Sequence, residues 1–167
     1  MAAATTTISA GAGCAVYMTT TTCAAGLNLA GFEAKTWTLI NEVSSTGEFG
    51  DMSNLIEASS LSDGRVRRLA GRADAGDFTL TVNFVASDAG QIQLRTAGSS
   101  ANRNLQYGFK VVFNDEPDSN DTPSVVYMLG KVTSNRYLPL NVDAILQQVF
   151  QIPIQEEPIL DVAEAVA

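Results

Sequence analysis

The chain has 167 residues, 46% of them hydrophobic, with 10 basic and 18 acidic side chains, two cysteines and no histidine. That is enough for one domain with one core, while a net charge of −8 opposes the basic surface that tight duplex binding needs. The missing histidine excludes Ser-His and Cys-His catalysis, and Cys14 and Cys23 have neither CxxC nor zinc-ligand spacing, so they read as reduced thiols.

Residues 1–32 carry no charge, yet they lack the basic start and Leu-rich centre of a secretion signal. Residues 1–12 read as a low-complexity arm, and no run is apolar enough to suggest a membrane partner. "CAVYMTT", residues 14–20, alternates briefly as a first strand, and "TTCAAGLNLAGFEAK" reads as a connector. "TWTLINEVS", residues 36–44, predicts one strand with Trp37, Leu39 and Val43 on one side. Residues 45–76 form a long polar stretch with five glycines, the pattern of a binding loop, in which "NLIEASSL" makes at most a short strand.

The clearest signal follows. Phe78, Leu80, Val82 and Phe84 alternate with Asp77, Thr79, Thr81 and Asn83, so one face meets a core and the other meets water. The wet face carries no lysine or arginine. "SDAGQIQLRTAG" predicts one helix, capped by Ser87 or Asp88, with Ile92 and Leu94 at its middle and Gly98 at its end. "LQYGFKVVFN", "SVVYMLGKVTS" and "DAILQQVFQIPI" read as three further strands, with Pro153 at an exposed end. The fold class is mainly β: an antiparallel β-sandwich or barrel with one flanking helix over residues 13–154, followed by an acidic tail over residues 155–167.

Little here suggests chemistry. Asp74 and Asp77 resemble a hydrolase carboxylate pair only in spacing, and read as solvated turn acids. Asp115, Glu116, Asp118 and Asp121 lack the order of a calcium loop and read as a hairpin tip. No cofactor or metal is expected. Arg65, Arg67, Arg68 and Arg72 are four of the ten basic residues, within eight positions. They read as a solvated loop pairing with Asp63 and Asp74, as a docking surface, or as a DNA contact that conflicts with the acidic balance, and docking is preferred because the same chain offers an excess of acids as partners for arginine.

In order, "TWTLINEVSSTGEFG", "SLSDGRVRRLAG", "DAGDFTLTVNF", "SDAGQIQLR", "YMLGKVTSNRY" and "QQVFQIPI" resemble the tail tube (major tail) proteins of long-tailed bacteriophages, over roughly residues 13–154, most of the chain. The resemblance implies a non-enzymatic virion protein, made in the host bacterial cytoplasm. It implies homohexameric rings stacked into a hollow tube that conducts DNA during ejection. Partners would be other copies, the tail tip, terminator and tape-measure proteins, and DNA in passage without tight binding. Asp77, Thr79, Thr81 and Asn83 would then face the lumen, and Arg65, Arg67, Arg68 and Arg72 would meet a neighbouring subunit or ring. Six copies at −8 each give −48 per ring, repelling a duplex within roughly 8 Å at physiological salt. The alternative from the residues alone is a carbohydrate-binding or adhesin-like sandwich, which would expose an aromatic platform.

Overall fold

Alternation fixes where the core lies. A computed structural model describes residues 11–59, 64–116 and 122–162. The alternating run becomes β6 (Asp77–Asn83), with Phe78, Leu80 and Val82 fully buried and the residues between them facing out. It sits inside a four-stranded antiparallel sheet in the order β3 (Val43–Thr46), β6, β10 (Gln147–Pro153), β9 (Ser134–Tyr137). A five-stranded sheet faces it, in the order β11 (Ile159–Asp161), β8 (Val125–Gly130), β7 (Tyr107–Val112), β1 (Ala15–Thr19), β2 (Trp37–Ile40). Val16, Met18, Phe109, Val111 and Met128 from this sheet meet Phe78, Leu80, Val82, Phe150 and Ile152 from the other in one core. Among the described residues neither sheet closes into a barrel.

The expected strand over residues 36–44 is two strands in two different sheets. The chain crosses over at Asn41 and Glu42, and Glu42 has φ 58, a left-handed value that turns the path sharply. Ile40 is buried while Trp37 lies on the outer face, stacked near Phe32 of the short helix α1 (Leu29–Glu33) at 6.5 Å between ring centroids. The expected grouping of Trp37 with Val43 therefore fails, because the sheet switch reverses the pattern between them. α1 itself was expected as connector. It begins at Asn28, whose side chain accepts from the Gly31 amide at 2.9 Å.

The stretch read as "SVVYMLGKVTS" is likewise divided, β8 ending at Gly130 and β9 beginning at Ser134. A Cβ on Gly130 would stand 2.6 Å from the Ile152 side chain, so only glycine allows the two sheets to approach there. The expected helix is α2 (Ala89–Ala97), with Asp88 accepting from the Gln91 amide at its start and Gly98 at its end. In the acidic tail, residues 159–161 pair with β8 as β11 and extend the five-stranded sheet.

The largest departure lies in the long polar segment. Its middle is a two-stranded hairpin, β4 (Met52–Ala58) and β5 (Arg67–Asp74), inserted between β3 and β6. Every β4 side chain is exposed, so neither strand shows the alternation that marks a half-buried one.

Candidate functional site

The outward face of the four-stranded sheet is mostly polar and tied together by amides, with Val149 and Pro153 its apolar members on β10. Thr81 lies between Ser45 on β3 and Val149 on β10, and Thr79 lies opposite Gln151. Gln151 Nε2 donates to Asp77 Oδ2 at 2.8 Å. At the other end Gln147 Nε2 donates to Asn83 Oδ1 at 3.0 Å and to Ser44 Oγ at 3.2 Å. Asn83 in turn donates to Glu42 Oε2 at 3.4 Å. Asp77, Thr79, Thr81 and Asn83 therefore share one face, as expected from their spacing. Ser45, Gln147 and Gln151 join them, and these cross-strand partners were not legible until the register was known.

Arg136 on β9 pairs in register with Val149 on β10 and lies exposed on the same face. The face is free of base along β6 but not across the whole sheet.

The other outer surface is different in kind. On the five-stranded sheet Leu39, Tyr17, Lys110, Tyr127 and Ile159 occupy one cross-strand row. Lys110 Nζ stands 4.6 Å from the centre of the Tyr17 ring and 5.0 Å from that of Trp37. Burial there lowers the Lys110 pKa below its ordinary range. Beside this row α1 places Phe32 against Trp37 and Tyr127, forming an aromatic cluster on this side of the sheet. Among the described residues Tyr137 is the one large aromatic that is well exposed, and its ring lies 5.9 Å from that of Phe84.

The four arginines are carried by a hairpin, not by an irregular loop. Arg67, Arg68 and Arg72 lie within β5, and Arg65 just precedes it. Arg68 Nε meets Glu57 Oε1 at 3.0 Å across the ladder, where Glu57 and Arg68 are paired in register. Of the acids expected to pair with these arginines, Asp63 lies outside the described residues, and Asp74 accepts from the Gly76 amide at 3.0 Å. Such an exposed pair contributes little to stability, about 0–1 kcal/mol. A bulge on β5 sets Gly71 and Arg72 against the single residue Asn54, and a Cβ on Gly71 would stand 2.9 Å from the Asn54 carbonyl oxygen.

Two further sites can be placed. Asp115 Oδ1 accepts from the Ser124 amide at 2.8 Å, and hydrogen bonding by Ser124 holds the Asp115 carboxyl below the usual carboxylate range. Asp118 and Asp121 lie outside the described residues, and among the described residues no group of three or more His, Cys, Asp or Glu is placed to hold a metal ion. Cys14 is partly exposed, and the buried Cys23 Sγ lies 3.6 Å from Thr19 Oγ1; both are free thiols. No helix among the described residues is long and apolar enough to cross a membrane.

The comparisons with known proteins concern the fold. No protein-family model matches the chain, and no curated protein does. Solved structures match over nearly the whole length. A chain of the anti-feeding prophage baseplate, from a six-fold symmetrised reconstruction, is 9% identical with a TM-score of 0.65, covering 93% of this chain and 97% of that one. A chain of the sheath/tube terminator of an extracellular contractile injection system is 10% identical with a TM-score of 0.63, covering 89% and 93%. The SPP1 tail tube is 16% identical with a TM-score of 0.60, covering 89% and 77%. This chain has a tail-tube-like fold.

Proposed function

We propose that this chain is a structural, non-catalytic subunit of a phage-type tail tube, residing in the virion tail after synthesis in the host bacterium. Six copies would close a ring by joining β9 of one subunit to β3 of the next, the two open edges of the four-stranded sheet. Four strands from each of six copies make a 24-stranded barrel, a size that leaves an open channel. Stacked rings would conduct DNA. Asp77, Thr79, Thr81 and Asn83 would line the channel, and Arg65, Arg67, Arg68 and Arg72 would reach a neighbouring subunit or ring. Tip, terminator and tape-measure proteins would complete the set of partners.

One observation carries this reading. The four-stranded sheet presents a mostly polar, hydrogen-bonded face between two open edges, whereas the outer face of the five-stranded sheet is apolar and aromatic, with α1 packed over Trp37, Tyr127 and Leu129. A channel wall needs the first kind of surface: hydrated, and short of the cations that grip phosphate. The likeness to tube and baseplate chains supports the same assignment through the fold.

Electron microscopy of the purified chain, concentrated alone and with its tail-initiation proteins, tests the proposal. Rings or hollow tubes are expected. A chain that stays monomeric under both conditions, above all one that binds an oligosaccharide, contradicts it.

A further inference from the structure

Two exposed apolar features lie at opposite ends of the same sheet. β6 pairs Asp77 with Pro153 at one end and Asn83 with Gln147 at the other, about 20 Å apart at 3.3 Å per residue. The β4–β5 hairpin leaves from the Asp77 end, since β5 runs into β6 through Gly76. At the Asn83 end residues 138–146 join β9 to β10. The base of that loop is tied down, with the Leu138 amide donating to the Gln147 carbonyl at 3.0 Å and the Phe84 amide to the Leu146 carbonyl at 2.8 Å. Beyond it, Leu140, Val142 and Ile145 project into solvent, Val142 with its whole surface accessible.

Such loops are normally polar, and apolar loops of this kind mark contact sites. The hairpin shows the same property: Met52, Leu55, Ile56 and Leu69 are all more than half exposed. The two features also differ in charge. The distal half of the hairpin carries Arg65, Arg67 and Arg68 against Glu57. Asp143 lies in the loop, Glu42 accepts from Asn83 beside its base, and Asp88 accepts from the adjoining Asn41, while Arg95 is partly buried, with its guanidinium over the Phe84 ring at 5.2 Å. Arg136 faces the polar side of the sheet instead.

We propose that residues 138–146 are the seat for the β4–β5 hairpin of another copy of this chain, displaced along the strand direction. The inference rests on the tube reading and names the contact between successive rings. Neighbours joined edge to edge keep their hairpins at one end and their loops at the other, so only a copy in the next ring brings the two together. The contact is head-to-tail, and repetition of a head-to-tail contact builds an open filament. Apolar side chains supply the buried centre, and the arginines with the opposing acids fix its register.

Crosslinking tests this. In a Cys14→Ser background, which leaves the buried Cys23, the exposed positions take Ile56→Cys and Val142→Cys, together and separately, with folding checked by circular dichroism. After assembly and treatment with a short bis-maleimide, the double variant is expected to give a denaturant-resistant ladder of dimers, trimers and longer species. The two single variants are expected to give dimers only when mixed. Tubes that form but yield no ladder overturn the seat and leave the tube reading standing. Dimers from Ile56→Cys alone also overturn it, since hairpin would then meet hairpin. A chain that forms no rings or tubes with any partner removes the tube reading and the inference with it.

Discussion

Gln151 reaches diagonally across the β6–β10 ladder to hold Asp77, its Nε2 donating to Oδ2 at 2.8 Å on the face opposite Phe78 and Ile152. An acid on this face is thus fixed by a neutral amide and not by a lysine or arginine. Gln147 treats Asn83 in the same way at the other end of the strand. The surface between them keeps its hydroxyl and amide groups hydrated while offering phosphate few cations.

Thr79→Lys with Thr81→Lys would reverse that property. Both threonines point away from the core, so thermal unfolding is expected to shift little. Two sites in each of six copies would add twelve positive charges per ring. Counterion release makes phosphate contacts accumulate along a duplex. Particles carrying the double variant should have tails of normal length, adsorb normally and release DNA slowly, with partial rescue at high salt. Unchanged ejection kinetics would remove these residues from the channel.

Replacing Arg65, Arg67 and Arg68 with alanine should leave circular dichroism and unfolding nearly unchanged, since all three side chains are exposed. The effect should fall on assembly. A charged contact that loses its water in an interface matters by about 2–5 kcal/mol, so the concentration needed for tube formation should rise at least tenfold. Normal tube yield with unaltered salt dependence would show that these side chains are merely solvated.

Gln91 is a structural clamp. Its Oε1 accepts from the Val85 amide at 2.9 Å, and its Nε2 donates to the Asn41 and Asn83 carbonyls at 3.1 and 2.9 Å, joining α2 to both sheets. The residue is fully buried. Gln91→Ala strands three polar groups and should cost about 2–4 kcal/mol in urea unfolding. Gln91→Glu should be similarly unstable at neutral pH, because a carboxylate cannot donate to the two carbonyls. A loss below about 0.5 kcal/mol for either variant would mean that these bonds are dispensable.

Asp115 gives a pH signature. Its bonds with Ser124 lower the folded-state pKa below the ordinary value of 3.8. A depressed carboxyl stabilises the fold above its unfolded pKa and loses that contribution as pH falls through the folded pKa. Asp115→Ala should therefore be less stable than the parent at pH 7, by about 1 kcal/mol. The gap should narrow steadily once pH drops below about 4. A gap independent of pH down to acid unfolding would assign the loss to packing alone.

The sequence made some of this legible for identifiable reasons. β6 alternates because one face is buried, and α2 carries an Asp88 cap and a Gly98 stop, so both could be placed from residues alone. The hairpin could not: Leu55 pairs with Ala70 and Glu57 with Arg68, all in solvent, and two exposed faces leave no period to read. The sheet switch at Asn41 and Glu42 was hidden because "TWTLINEVS" keeps strand-forming residues on both sides of the break. Of the polar face, the β6 residues could be listed from spacing, whereas Ser45, Gln151 and Arg136 joined it only through register. Gln91 resembles any surface glutamine on a helix until the three backbone groups around it are located.

The most direct measurement is a cryo-EM reconstruction of the assembled tube at a resolution that separates strands. The expected map has the four-stranded sheets of six subunits joined edge to edge around the channel, with Thr79 and Thr81 on its inner surface. A map in which the five-stranded sheet or α1 faces the channel, with β6 turned outward, would contradict the proposed function at its centre.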